Sequence, residues 1–141
     1  MQHGTVRIRL AMDLVVSPEL SVRVPTDVGY EAADPYAVRF TFHLPGDAPV
    51  TWFFARELLL DGTGGPAGEG DVRVRPVGED RAELCVVLRS PDGRSVLRAP
   101  AAPLVAFLAR TVALVPIGRE CTGRELDARL AEILRGRENA G

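Results

Sequence analysis

Val6, Ile8, Leu10, Met12 and Leu14 alternate with Arg7, Arg9 and Asp13. A period of two predicts a long half-buried strand, because successive side chains of an extended chain point to opposite faces. Ser17-Pro18 turns the chain, and Leu20, Val22 and Val24 alternate with Ser21 and Arg23 in a second strand expected to close at Pro25. The two are expected to pair as a hairpin. After the Asp34-Pro35 turn, Val38, Phe40, Phe42 and Leu44 alternate with Arg39, Thr41 and His43. Pro45 to Pro49 breaks this third strand. Val50, Trp52 and Phe54 form a fourth, its hairpin partner. One helical turn is expected over Arg56 to Leu60.

Asp61 to Gly70 holds five of the 14 glycines and reads as a mobile loop or wide turn. A fifth strand carries Val72 and Val74 against Arg73 and Arg75. A sixth, Arg81 to Arg89, is apolar on both faces at its centre and should lie in the middle of a sheet. Ser90-Pro91-Asp92-Gly93 is a turn, and Arg94 to Arg98 returns as a seventh strand. From Pro103 the period changes. Leu104, Phe107, Leu108 and Val112 lie on one helical stripe that should stop before Pro116. Thr122-Gly123-Arg124-Glu125 is a capping box for a second helix with Leu126, Leu130, Ile133 and Leu134 on its apolar side. Strands followed by helices predict an α+β fold: an antiparallel sheet of about seven strands, then two C-terminal helices over one face. The 141 residues suit one domain spanning 1–141, with 1–4 and 136–141 frayed.

Composition narrows the function. Hydrophobic residues make up 46% of the chain and charged residues 26%, a globular mix. Net charge is −2, which disfavours a dedicated nucleic-acid module or adhesion to an anionic membrane. All 17 basic residues are arginine, a donor suited to carboxylate partners but also a mark of GC-rich coding. No stretch is long and apolar enough to span a bilayer, and the N-terminus does not read as a signal peptide. Cys85 and Cys121 make no disulfide framework, and a reducing, cytoplasmic compartment fits.

Catalytic chemistry finds little to build on. His3 and His43 are the only imidazoles, and no HxxxH or CxxC spacing exists for zinc. No serine sits in a nucleophile elbow. Gly62-Thr63-Gly64-Gly65-Pro66-Ala67 loosely matches a dinucleotide fingerprint, but it precedes a strand instead of following one. No cofactor is expected. Contact chemistry is better represented. In Trp52-Phe53-Phe54, strand alternation sets Phe53 against its neighbours, either under a helix or exposed at an interface. Asp34 and Tyr36 in one turn, and Arg56 and Glu57 after the aromatic strand, are candidate partner-binding residues with Phe53. Tyr and Arg are enriched at interface hot spots, and Arg56 could grip a carboxylate on an acidic partner tail. The competing structural reading has Tyr36 capping the core and Arg56 pairing across the sheet. Sheet edges that need covering favour a homo-oligomer.

Several stretches together resemble the SsgA-like proteins. They include Val15-Val16-Ser17 with Glu19, Ala33 to Val38, Phe40 to His43, Val50-Thr51-Trp52 and Phe54 to Leu59. Gly70-Asp71-Val72, Ser90 to Gly93, Phe107-Leu108, Val115-Pro116 with Gly118 and Glu120, and Leu126-Asp127 continue the match. The resemblance implies a non-enzymatic regulator of sporulation-specific cell division, located at the division septum. Implied partners are the tubulin-like division protein FtsZ and other SsgA-like proteins. It also implies a Whirly-like fold and a homotrimer, and it supplies no catalytic, cofactor or metal residues. A single-stranded nucleic-acid module with the same fold is the alternative.

Overall fold

The computed structural model describes residues 4–120. Seven strands form one antiparallel sheet in the order β4-β3-β2-β1-β7-β6-β5. The long hairpin of β1 (Thr5–Ser17) and β2 (Leu20–Glu31) is in register from Thr5 opposite Glu31 to Ser17 opposite Leu20, with an irregularity between Val15 and Ser17. β3 (Ala37–Phe42) and β4 (Val50–Ala55) continue the sheet on one side. β5 (Val72–Val77), β6 (Glu83–Ser90) and β7 (Gly93–Pro100) continue it on the other. The two halves meet where Asp13, Leu14 and Val15 of β1 pair with Arg98, Leu97 and Val96 of β7. β1 is therefore the middle strand. β6, expected there, lies one strand in from an edge.

The expected alternation is visible in the burial. Val6, Leu10 and Met12 of β1, Val24, Val28 and Tyr30 of β2, and Val38, Phe40 and Phe42 of β3 face one core. Phe40 meets Phe54 of β4 edge to face, with centroids 4.8 Å apart. α1 (Arg56–Gly64) packs on β5, and α2 (Ala101–Leu114) lies against β1, β6 and β7. Leu104, Phe107, Leu108 and Thr111 are the buried face of α2. Burying each such large apolar side chain is worth about 1.5–3 kcal/mol.

Two more expectations need correction. β2 does not close at Pro25 but runs on to Glu31. The Pro25 carbonyl accepts from the His43 N–H at 2.9 Å, just past Phe42, the last residue of β3. Since N and C=O of one residue point to the same side, the missing N–H faces β3 beyond its end and costs no bond to β1. Second, the stretch taken for a loop from Asp61 begins as helix, and α1 reaches Gly64. Gly62 is the reason a glycine stands there: a Cβ would come within 2.6 Å of Val74 Cβ and nearer still to its Cγ1. Among the described residues the helices are one internal, α1, and one after the sheet, α2. α2 starts at Ala101, puts Pro103 in its first turn and stops before Pro116. The second expected C-terminal helix lies outside the described residues.

Candidate functional site

The β2–β3 turn, the β4–α1 junction and the segment after α2 come together at one end of the sheet. The backbone makes the first link, where the Arg56 N–H donates to the Tyr36 carbonyl at 2.8 Å. Tyr36 supplies the second, its hydroxyl donating to the Glu120 carbonyl at 2.8 Å. Arg56 makes the third. Its Nη1 donates to the carbonyls of Val115 at 2.7 Å and Thr111 at 3.1 Å, and its Nη2 to Glu120 Oε1 at 2.5 Å. The guanidinium also lies 5.1 Å from the Tyr30 ring centroid, a cation–π contact. Tyr30 donates to the Pro35 carbonyl at 2.9 Å, which fixes the turn from below.

Arg56 is 1% exposed. Its side chain thus closes the C-terminal end of α2, whose last carbonyls have no partner within the helix. A cation there also complements the helix dipole. The Glu120 carboxyl is held below the usual carboxylate range by its own backbone N–H, by Arg56 and by the Gly118 N–H, against the opposing effect of burial. Burial raises the Tyr30 hydroxyl, against the pull of Arg56.

Around this lock the surface opens into a cleft of about 410 Å³, lined by Tyr36, Glu57, Leu60, Asp61 and Ile117 with Arg56 at its floor. Tyr36 is 44% exposed, Ile117 66%, and Glu57 is exposed. On the far side of the same turn, Phe53 of β4 stands outward at 60% exposure, opposite Arg39 of β3. It shares a shallow depression with Asp34 and Glu31. The turn therefore connects all five candidates, four at the surface and Arg56 beneath it. Of the two readings of Phe53, the exposed one is observed. Arg56 does not pair across the sheet: its guanidinium binds the α2 terminus and Glu120. Glu120, Thr111 and Val115, the residues that receive it, were not singled out as a site. Only Gly118 and Glu120 after Val115-Pro116, in the family resemblance, pointed to that segment.

Among the described residues no cluster of His, Cys, Asp or Glu could hold a metal ion. His43 Nε2 lies 2.7 Å from Asp27 Oδ2, but Arg9 Nε takes the other oxygen at 2.8 Å, and no nucleophile joins them. No helix among the described residues is long and apolar enough to cross a membrane.

Fold and cleft together define an α+β protein with one curled antiparallel sheet and an arginine-locked turn beside an open cleft. The family described as "Streptomyces sporulation and cell division protein, SsgA" matches residues 24–120. The chain belongs to this SsgA-like family, which is a division and sporulation family and not a family of enzymes. It is 47% identical over 133 residues to the sporulation-specific cell division protein SsgB of Streptomyces coelicolor, covering 94% of this chain and 97% of that protein. The SsgB protein of Frankia casuarinae is 41% identical over 137 residues, covering 96% of each. A solved SsgA-like sporulation-specific cell division protein from Thermobifida fusca superimposes with a TM-score of 0.81 at 38% identity, over 94% of this chain and 97% of that one. A structure reported with SsgB mutations that correlate to longitudinal cell division during sporulation of S. coelicolor gives a TM-score of 0.79 at 46% identity, over 85% and 95%.

Proposed function

We propose that the protein is a non-enzymatic regulator of sporulation-specific cell division that helps localise or stimulate assembly of the septal FtsZ ring through protein–protein contacts. The observation that carries this reading is the nearly full-length likeness to SsgB proteins named for sporulation-specific division. It acts in the cytoplasm at the septum, with FtsZ and other SsgA-like proteins as partners. The contact surface is the turn bearing Asp34 and Tyr36, with Phe53 on one side and Glu57 on the other. Arg56 positions that surface from below. Exposed aromatics beside charged rims are the residue types that dominate interface energetics.

The test is a pull-down of FtsZ by the wild-type chain and by Tyr36→Ala, Phe53→Asp and Glu57→Arg, each checked for an unchanged melting temperature. Capture by wild type, and its loss in at least one folded variant, supports the reading. Wild-type capture with undiminished binding by all three would remove the surface. No capture by wild type would remove the direct contact.

The homotrimer implied by the resemblance belongs to the same reading. The Whirly-like fold that the resemblance implies would supply a second one, a single-stranded nucleic-acid module. Outward arginines on β5–β7 favour it, and it requires oligonucleotide retention that weakens steeply with salt.

A further inference from the structure

The face of β5, β6 and β7 turned away from the core carries Arg73 and Arg75 on β5, Arg89 on β6, and Arg94 and Arg98 on β7. The register puts them together: Arg73 is opposite Val87, Arg75 opposite Cys85, Cys85 opposite Arg98, and Arg89 opposite Arg94. All five are exposed. Among the described residues none of them is in an ion pair or a side-chain hydrogen bond. The other half of the sheet is built differently. There Arg9 meets Asp27, Arg23 meets Asp13, and Arg39 meets Glu31. Like charges directly opposite each other destabilise a sheet, so the Arg89–Arg94 pair works against the fold. Asp13 of β1 stands opposite Arg98 across the seam but pairs with Arg23, and among the described residues neither Asp71 before β5 nor Glu83 at the start of β6 pairs with any of these arginines.

Between the arginines lies a cleft of about 340 Å³ with Val87 in its floor and Pro66 to Gly68 as a wall. Ala67 exchanges both backbone hydrogen bonds with Val74, at 2.8 and 3.0 Å, and so closes the outer edge of β5. A partner therefore cannot add a strand at that point and must be recognised by side chains. We propose that this face binds an acidic, extended polypeptide segment of a partner protein. Arginine forks match carboxylates bidentately. Alternate residues of an extended peptide repeat at about 6.6 Å, the same spacing as Arg73 and Arg75 on their strand, so acids at every second position fit best. Single-stranded nucleic acid fits less well. Its binders stack bases on aromatic side chains, and the register places Val87 and Val96, not aromatics, between these arginines. The inference does not depend on the division role, since it concerns a separate surface.

The experiment is fluorescence anisotropy of a labelled peptide of alternating Glu and Ser, beside a labelled oligothymidylate of equal charge, at about 50 and about 200 mM salt. The wild-type chain is compared with Arg73→Ala/Arg89→Ala, with Arg73→Lys/Arg89→Lys, and with Arg9→Ala as the control on the other half. The expected result is peptide binding that weakens with salt. It should fall about ten-fold or more in the alanine pair, fall less in the lysine pair, and stay unchanged in Arg9→Ala, with the alanine pair melting at or above the wild-type temperature and Arg9→Ala slightly below it, having lost its bond to Asp27. Oligothymidylate bound more tightly than peptide, no peptide binding by wild type, or equal binding by the alanine pair would each overturn the proposal.

Discussion

At Arg56 the length of the side chain matters as much as its charge. The guanidinium reaches two carbonyls at the end of α2 and the Glu120 carboxylate at once. Arg56→Met fills much of the volume but leaves the Val115 carbonyl and Glu120 Oε1 without this donor, while the Thr111 carbonyl keeps the Val115 N–H and Glu120 Oε2 the Gly118 N–H. The expected cost is about 3 kcal/mol, because removing one member of a buried pair strands the other. In a chain of this size that lowers the melting temperature by roughly 6–12 °C. Calorimetry checks it, and a loss below about 1 kcal/mol would mean that water replaces the arginine at little cost. Asp27 makes an opposite, surface case. Hydrogen bonds from Arg9 and then His43 hold its carboxyl at about 2. A depressed carboxylate contributes stability that is present above its unfolded value near pH 4 and lost as pH falls toward 2. Asp27→Asn should therefore be less stable than wild type at pH 5, and the gap should close by pH 2. With the side chain 43% exposed, screening keeps that gap below about 1 kcal/mol. Urea midpoints at the two pH values measure it, and a gap of equal size at both would rule out the carboxylate charge as its source.

At the scale of elements, the two glycines of α1 separate packing from propensity. Gly62→Ala pushes a methyl group into Val74 and should cost about 1–3 kcal/mol by prising α1 from β5. Gly64→Ala meets nothing within 4 Å and should be neutral or stabilising by up to about 1 kcal/mol, since alanine suits a helix better. Paired chemical denaturation curves decide between them, and equal costs would refute the packing argument. The same helix shows where the sequence was hard to read. Its glycines carry a loop signal, and only contact with a strand ten residues further on turns Gly62 into a helix residue. Pro25 misled in the same way, because its harmlessness depends on where β3 ends. Strands without such residues, β1 and β3 above all, follow their alternation closely. Asp34, Tyr36 and Phe53 could be picked out by residue type and by position in turns and strands. The burial of Arg56 could not, since its carboxylate partner stands 64 residues away and only the completed fold brings it near.

At the scale of the whole molecule, the exposed aromatic edge and the unpaired arginines are the surfaces that folding alone leaves unexplained. Phe53→Asp should change stability by less than about 0.5 kcal/mol, because its side chain leaves the surface half open, while any assembly through β4 would weaken. Sedimentation of wild type and variant across micromolar concentrations tests this, with a trimer for wild type as the expected species. An unchanged sedimentation profile in the variant would move the assembly contact away from β4.

The seam between β1 and β7 also sets a timetable for synthesis. The three residue pairs that join the halves of the sheet link positions 13–15 to positions 96–98. A ribosome adding about 5–20 residues each second needs roughly 4–16 s to make the intervening chain. Throughout that interval the flank of β1 at residues 13–15 has no partner strand, and a two-stranded hairpin alone is only marginally stable. A chain stalled before residue 93 should then recruit holding chaperones and yield to protease, and one released past residue 120, with α2 and the acceptors of Arg56 made, should resist both.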